Sequence, residues 1–189
     1  MDLRLISTHD LLFDLILYVC LPAWLIFGFV DYRCHRKSKI EETSGIKESL
    51  LHAVMGVQVG IPIFLGLFFE VNALIFMIIF VVLALHEVVA HMDVAYALKS
   101  RKISITEVHA HSFLEVLPFV IVALIVCIDW PAFVDFISFN WAGHLALIPK
   151  AHPLDRLYVG CYVTLMLVAD VVPYFEEFWR CMHHGKAQA

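Results

Sequence analysis

Charge is scarce in this sequence. Asp, Glu, Lys and Arg make up 16% of its 189 residues, where a soluble domain carries about 25%. Apolar residues make up 61%, so a water-soluble globule would leave long apolar runs facing water, and the same composition excludes a disordered chain. Basic residues are in the minority: 13 Lys and Arg against 18 Asp and Glu give a net charge of −5. No basic stripe interleaves with aromatics, which argues against nucleic acid as a partner. The five cysteines form no C-x-x-C pair. Cys20, Cys127 and Cys161 fall in apolar runs, and Cys34 and Cys181 lie beside Lys and Arg, a pattern of neither a disulfide framework nor a thiolate zinc site. With no internal repeat or low-complexity tract to divide it, the chain reads as one integral membrane domain over residues 1–189.

Long apolar sequence is what the chain has in abundance. A bilayer-crossing helix takes about 20 mostly apolar residues. Five runs approach or exceed that length: residues 11–30, 49–69, 71–92, 112–128 and 157–175. The expected fold is therefore all-α, a polytopic membrane helical bundle of about five transmembrane helices. Residues 131–149 are bracketed by prolines, interrupted by Asp135, Asn140 and His144, and rich in aromatics. They predict an interfacial segment between the fourth and fifth spans. The first run lacks a strongly basic start and is too long for a signal-peptide core, so it reads as a retained anchor.

Basic residues set the expected orientation. With five spans, residues 31–47, 99–102 and the C-terminal tail share one side and hold ten of the 13 Lys and Arg, while Arg4, Lys150 and Arg156 hold the rest. The positive-inside rule then assigns the ten-charge side to the cytoplasm, leaving the N-terminus outside and the C-terminus cytoplasmic.

Ionisable groups inside a membrane span are costly and functional by default. Here they gather at one end. Glu48 and His52 open the second span; His86, Glu87, His91 and Asp93 close the third; Glu107, His109, His111 and Glu115 open the fourth; Asp170, Glu176 and Glu177 close the fifth. Residues four apart share a helix face, and residues seven apart differ by about 20°. Glu48 and His52 are four apart, His86 and Asp93 seven apart, and Glu107, His111 and Glu115 form a line at four-residue spacing. Three helices can thus each aim a His/carboxylate pair at one volume. Carboxylates bridge and neutralise cations while imidazoles add nitrogen donors, the mixed set that two metal ions need. Bundle di-iron sites combine Glu with Glu-x-x-His pairs; the spacing here is E-x-x-x-H. The expected metal ligands are His52, His86, His109, His111, Glu48, Asp93 and Glu115. His35, Glu41, Glu107, His91 and Asp170 are further candidates, as ligands or as groups that orient the imidazoles.

Several of these residues carry a resemblance. Cys34-His35-Arg36, Ile40-Glu41, Thr43-Ser44-Gly45 and Lys47-Glu48-Ser49 with His52 form its first part. His86-Glu87 with Ala90, Asp93 and Tyr96-Ala97 form the second, and Glu107, His109, His111-Ser112, Leu114-Glu115 and Pro118 the third. Together they resemble a family of small bacterial multi-pass membrane proteins without an established activity. The resemblance covers most of residues 1–130 and implies a bacterial inner (plasma) membrane protein. A looser likeness is to membrane fatty-acid hydroxylases and desaturases, which gather histidine boxes at the cytosolic ends of helices; their H-x-x-H-H boxes are absent here.

The leading expectation is a membrane di-metal oxidoreductase, with two iron ions at the cytoplasmic membrane boundary. A lipophilic substrate would enter from the membrane lipids, and an electron donor would serve as partner. Three alternatives remain open. A zinc-dependent intramembrane hydrolase needs three protein ligands and a water. A b-type haem electron-transfer protein would use two of the histidines axially and leave the carboxylates, Glu115 above all, without a role. A metal or proton transporter wants polar groups through the full membrane depth, whereas the outer halves of these spans are almost purely apolar, Gln58 being the strongly polar side chain deep in the second.

Overall fold

The computed structural model describes residues 7–187, so Arg4 lies outside it. Five helices are long and apolar enough to cross a membrane: Thr8–Ser38, Ile46–Phe68, Ala73–Ser100, Ile105–Ile128 and Arg156–His184. Apart from Phe69, Val71 and Asn72, the five apolar runs fall within these helices, and no strand occurs among the described residues. The first, third, fourth and fifth helices run past the apolar sequence at the polar end. Apolarity stops where charged residues begin, but helix stops only where the backbone is released. Ser104 provides one such release point. Its hydroxyl accepts from the Glu107 N–H while the Glu107 carboxylate accepts from the Ser104 N–H, a reciprocal cap that starts the fourth span at Ile105. The first span ends at Lys39, whose left-handed φ of 51° breaks the ladder.

Around the bundle the neighbours run first, fourth, third, second, fifth and back to first. Five helices arranged as a ring leave space along the axis, and the alternating chain direction brings five polar helix ends to one rim. Two π-turns, Ile16–Cys20 and Leu167–Val171, interrupt the first and fifth spans. The second of them carries Asp170, whose carboxylate sits against Gly28; a Cβ built there would come within 2.5 Å of Asp170 Oδ1. Ile16, Leu17, Leu21 and Leu25 of the first span pack with Leu67 and Tyr162 to form the main buried cluster. The outward faces carry exposed apolar side chains such as Val57, Leu98 and Val168, as a lipid-facing surface requires.

Between the fourth and fifth spans the chain forms a short helix, Trp130–Ile137. Phe133 and Phe136 of that helix pack on Phe76 and Phe80 of the third span. The segment then returns to the turn between the second and third spans, where Phe69 and Pro149 form an antiparallel bridge.

Candidate metal centre

The connection between the first two spans holds the polar rim together. After Lys39 a 3-10 turn, Ile40–Glu42, buries Ile40 completely. Gly45 then adopts φ 66° and ψ −150°, a region essentially reserved for glycine. Tyr96 of the third span donates to the Ser44 carbonyl at 3.0 Å, fixing this loop against the site.

Each span contributes. The first supplies Asp31 and His35, four residues apart; the second Glu48 and His52, also four apart; the third Asp93; the fourth Glu107 and His111; the fifth Tyr174 and Glu177. Asp31, His35, Glu48, His52, Asp93, Glu107 and Glu177 are all at most 5% exposed. His35 and His52 stack ring on ring, 4.4 Å between centroids and 9° between planes, and His111 lies 6.3 Å from each.

Glu177 holds both stacked rings. Its Oε2 lies 3.1 Å from His35 Nδ1 and its Oε1 lies 3.2 Å from His52 Nδ1. With each Nδ1–H donating to Glu177, each neutral imidazole presents a bare lone pair at Nε2. Those nitrogens face carboxylate oxygens. His52 Nε2 is 3.2 Å from Asp93 Oδ2. His35 Nε2 is 3.4 Å from both Asp31 Oδ2 and Glu107 Oε1, yet it makes no hydrogen bond. His111 Nε2 is 3.3 Å from Asp31 Oδ1, which also makes none. Such facings repel unless a proton or a cation lies between them. The separations match two ligands about 90–110° apart on an ion with bonds of about 2.0–2.2 Å.

Three groups of potential ligands have donor atoms mutually within 4.8 Å: Asp31, His35, His52 and His111; His35, Glu48 and Glu107; and Glu48, His52 and Asp93. They overlap through His35, His52 and Glu48, so the donors surround adjoining positions rather than one. Asp31, Glu48, Asp93, Glu107 and Glu177 bring five carboxylates. One guanidinium answers them: Arg101 donates from Nε to both Glu48 oxygens at 3.1 Å and from Nη1 to Glu107 Oε2 at 3.0 Å, and Nη2 bonds both acids. Burial opposes the charge on Arg101, but the hydrogen bonds it donates to Glu48 and Glu107 outweigh it and hold its pKa above the ordinary arginine value. With neutral imidazoles the set keeps four net negative charges, the charge of two divalent cations. Tyr174 completes the rim, its hydroxyl 3.1 Å from both Asp31 Oδ2 and the Gly28 carbonyl.

Of the expected ligands, the structure brings His52, His111, Glu48 and Asp93 together, with His35 and Glu107 from the further candidates. His86 and Glu115 stand outside the three donor groups and line the space below them. His109 and His91 are exposed. Glu41 is bonded by Arg180. Asp170 faces the same lower space as His86. Sequence reasoning missed Asp31 and Arg101, and it left Glu177 as a charge at the end of a span. Spacing could have found two of them: Asp31 and His35 are four apart on one helix, and Glu177 lies seven beyond Asp170. Arg101 carried no such signal, because it follows the end of a helix.

Comparison of the chain with protein-family models, with curated proteins and with solved structures finds no match.

Proposed function

We propose that this chain is a membrane-embedded di-metal oxidoreductase, with two iron ions held at the cytoplasmic boundary of a bacterial inner membrane and a lipophilic substrate drawn from the bilayer. The observation that carries the reading is the set of buried ring nitrogens facing carboxylate oxygens, His52 Nε2 on Asp93 and His35 Nε2 on Asp31 and Glu107, in a cluster whose net charge, with neutral imidazoles, matches two dications. Glu48 belongs to two of the donor groups, so its carboxylate would help to hold either ion. Glu177 orients two imidazoles at once, the role carboxylates take behind metal-bound histidine. Arg101 keeps Glu48 and Glu107 from repelling each other, and the Tyr174 hydroxyl fixes one oxygen of Asp31. Iron bound in a mixed nitrogen and oxygen set would supply redox chemistry with oxygen, electrons coming from a separate donor. Haem fits less well, since stacked His35 and His52 leave no room for a macrocycle between them.

A second reading has its own support. Asp31, His35, His52 and His111 form by themselves a group of three imidazoles and a carboxylate. Its three imidazoles would hold one zinc ion and leave the fourth position to a hydrolytic water, with Asp31 as the base.

Metal counting on purified protein separates the two. Two irons per chain, lost together in His35→Ala and in His52→Ala, support the di-iron reading. One zinc per chain selects the hydrolase. No bound metal after expression in metal-supplemented medium, with none taken up on reconstitution, overturns both.

A further inference from the structure

Beneath the metal centre lies a second polar layer. Asp93 and Glu177 belong to the site; seven residues before each, about 10.5 Å deeper along the helix, stand His86 and Asp170. Both are 6% exposed. His86 Nδ1 and both oxygens of Asp170 make no hydrogen bond to protein. Both side chains line a chamber of about 420 Å³ whose upper wall includes Asp31, His52 and His111. Trp24 and His86 also border a second, smaller cavity that continues along the bundle axis toward Asp129 and Lys150. Trp24 Nε1 and Gln58 Oε1 at that junction are unpartnered as well.

The chamber has room because the second span presents small residues below His52. Gly56 and Gly60, four and eight residues on, line it, and a Cβ at either would meet nothing within 4 Å. It opens sideways between the second and fifth spans, where Val57 and Phe175 are lining residues and are 64% and 68% exposed. The walls are otherwise apolar, and no Lys or Arg lines the chamber. A buried acid with two free oxygens, with Glu115 beside it and no Lys or Arg in the lining, suits a head that donates hydrogen bonds better than an anionic one.

We propose that this chamber binds a single-chain lipid with a hydrogen-bond-donating head, an alcohol or an amine, the head held by Asp170 and His86 and the chain lying along the apolar walls. The inference rests on the metal-centred reading above only in treating the bound lipid as the substrate of that centre.

The test uses the full chain in detergent and undecyl probes brominated at the far end, carrying an alcohol, an amine or a carboxylate. Bromine quenches a tryptophan in contact with it, and Trp24 lines the chamber. Saturable quenching by the alcohol or the amine is expected, absent with the carboxylate and absent in Trp24→Phe; whichever head quenches identifies the source. Gly60→Leu, which fills the chamber, should abolish quenching while keeping wild-type metal per chain. Asp170→Asn should weaken binding about tenfold, the scale of one lost hydrogen bond, and narrow the preference over the carboxylate. Equal quenching by all three probes, preference for the carboxylate, or unchanged binding in both Gly60→Leu and Asp170→Asn overturns the proposal. Should Gly60→Leu fail to fold, Asp170→Asn alone decides. Loss of the metal reading leaves the quenching result standing, and absent quenching in metal-loaded protein overturns the lipid proposal alone.

Discussion

The two ends of the bundle use polar side chains in opposite ways. At the end away from the His/carboxylate cluster they complete the backbone. Asn72 accepts from the Ile75 N–H at 3.2 Å and donates to the Ala146 carbonyl at 2.8 Å. Glu70 accepts from the Ala151 N–H at 2.7 Å, and Asp155 from the Tyr158 N–H at 2.9 Å. Trp141 donates to the Phe136 carbonyl at 3.0 Å. Every one of these bonds has a backbone group as its partner, closing a turn, starting a helix or tying one loop to another. At the other end, side chains bond side chains across five helices, and acceptor atoms are left over in the middle. A fold in need of caps alone would resemble the first end at both ends. The surplus of buried carboxylates and imidazoles at the second is a cost to folding, which is why it reads as a site.

That comparison is broken most strongly at Arg101. Arg101→Met removes the guanidinium that bonds Glu48 and Glu107 and leaves two buried acids opposed, a loss of about 3–5 kcal/mol. At the far end, Asn72→Ala removes a cap and a tether and is expected to cost about 1–2 kcal/mol. Thermal unfolding of the two variants in one detergent measures the difference. Equal losses would mean that the site end is no more electrostatically loaded than an ordinary cap.

Glu177→Gln is the next largest test. The amide keeps the shape but presents one acceptor where the carboxylate presents two, so one of the two imidazoles loses the partner that fixes its tautomer. Metal affinity is expected to fall about 10–100-fold, the usual effect of losing a carboxylate behind a metal-bound histidine, with little change in unfolding temperature. Titration of metal into stripped protein reads it. An unchanged affinity would remove Glu177 from the centre.

Two caps sharpen the comparison further. Ser104→Ala and Asp155→Ala each delete an N-cap hydrogen bond, worth about 1 kcal/mol. They lie at opposite ends of the bundle, the first starting the fourth span and the second the fifth. Unfolding temperatures should fall alike. Only Ser104→Ala should also weaken metal binding, because the reciprocal cap aims the Glu107 carboxylate. Metal loss in both would point to a general loosening rather than to aim.

The five helices and the polar end they share were legible because both follow from periodicity and composition. The membrane demands apolar runs of a given length, and acids and histidines inside them have nowhere else to be. Which of those residues meet was less legible. His109 and His111 are two residues apart on one helix, so only one of them can face the axis, and the helix start that decides between them is set by Ser104. Asp31 lay past the end of the first apolar run and was read as its boundary, although its four-residue spacing from His35 marks a shared face. Arg101 counted toward orientation as one loop charge among ten. Its burial depends on Glu48 and Glu107 arriving from two other helices, a long-range fact with no local trace. His86 and Asp93 are seven apart and share a face, which predicted one site, but seven residues are also two turns of depth. The pair divides between the His/carboxylate cluster and the chamber beneath it.

Glu115 carries the smallest expected effect and the clearest division between those two layers. From sequence it is the third member of the line Glu107, His111, Glu115 and an expected metal ligand. In the structure the line crosses the boundary: Glu107 and His111 belong to the donor groups, while Glu115, one turn deeper, lines the chamber. It also stands close enough to Glu87 of the third span for the two charges to interact. No imidazole or guanidinium is hydrogen-bonded to it among the described residues. Glu115→Gln keeps the size and removes a negative charge near a second one, so stability should hold or rise by a few tenths of a kcal/mol, the scale of a like-charge pair relieved on helices. Metal per chain should be unchanged. Binding of a hydrogen-bond-donating lipid should weaken less than in Asp170→Asn, since Glu115 is only partly buried. A Glu115→Gln protein that loses metal would return Glu115 to the centre, and the chamber would then begin one turn lower on the fourth span than this geometry has it.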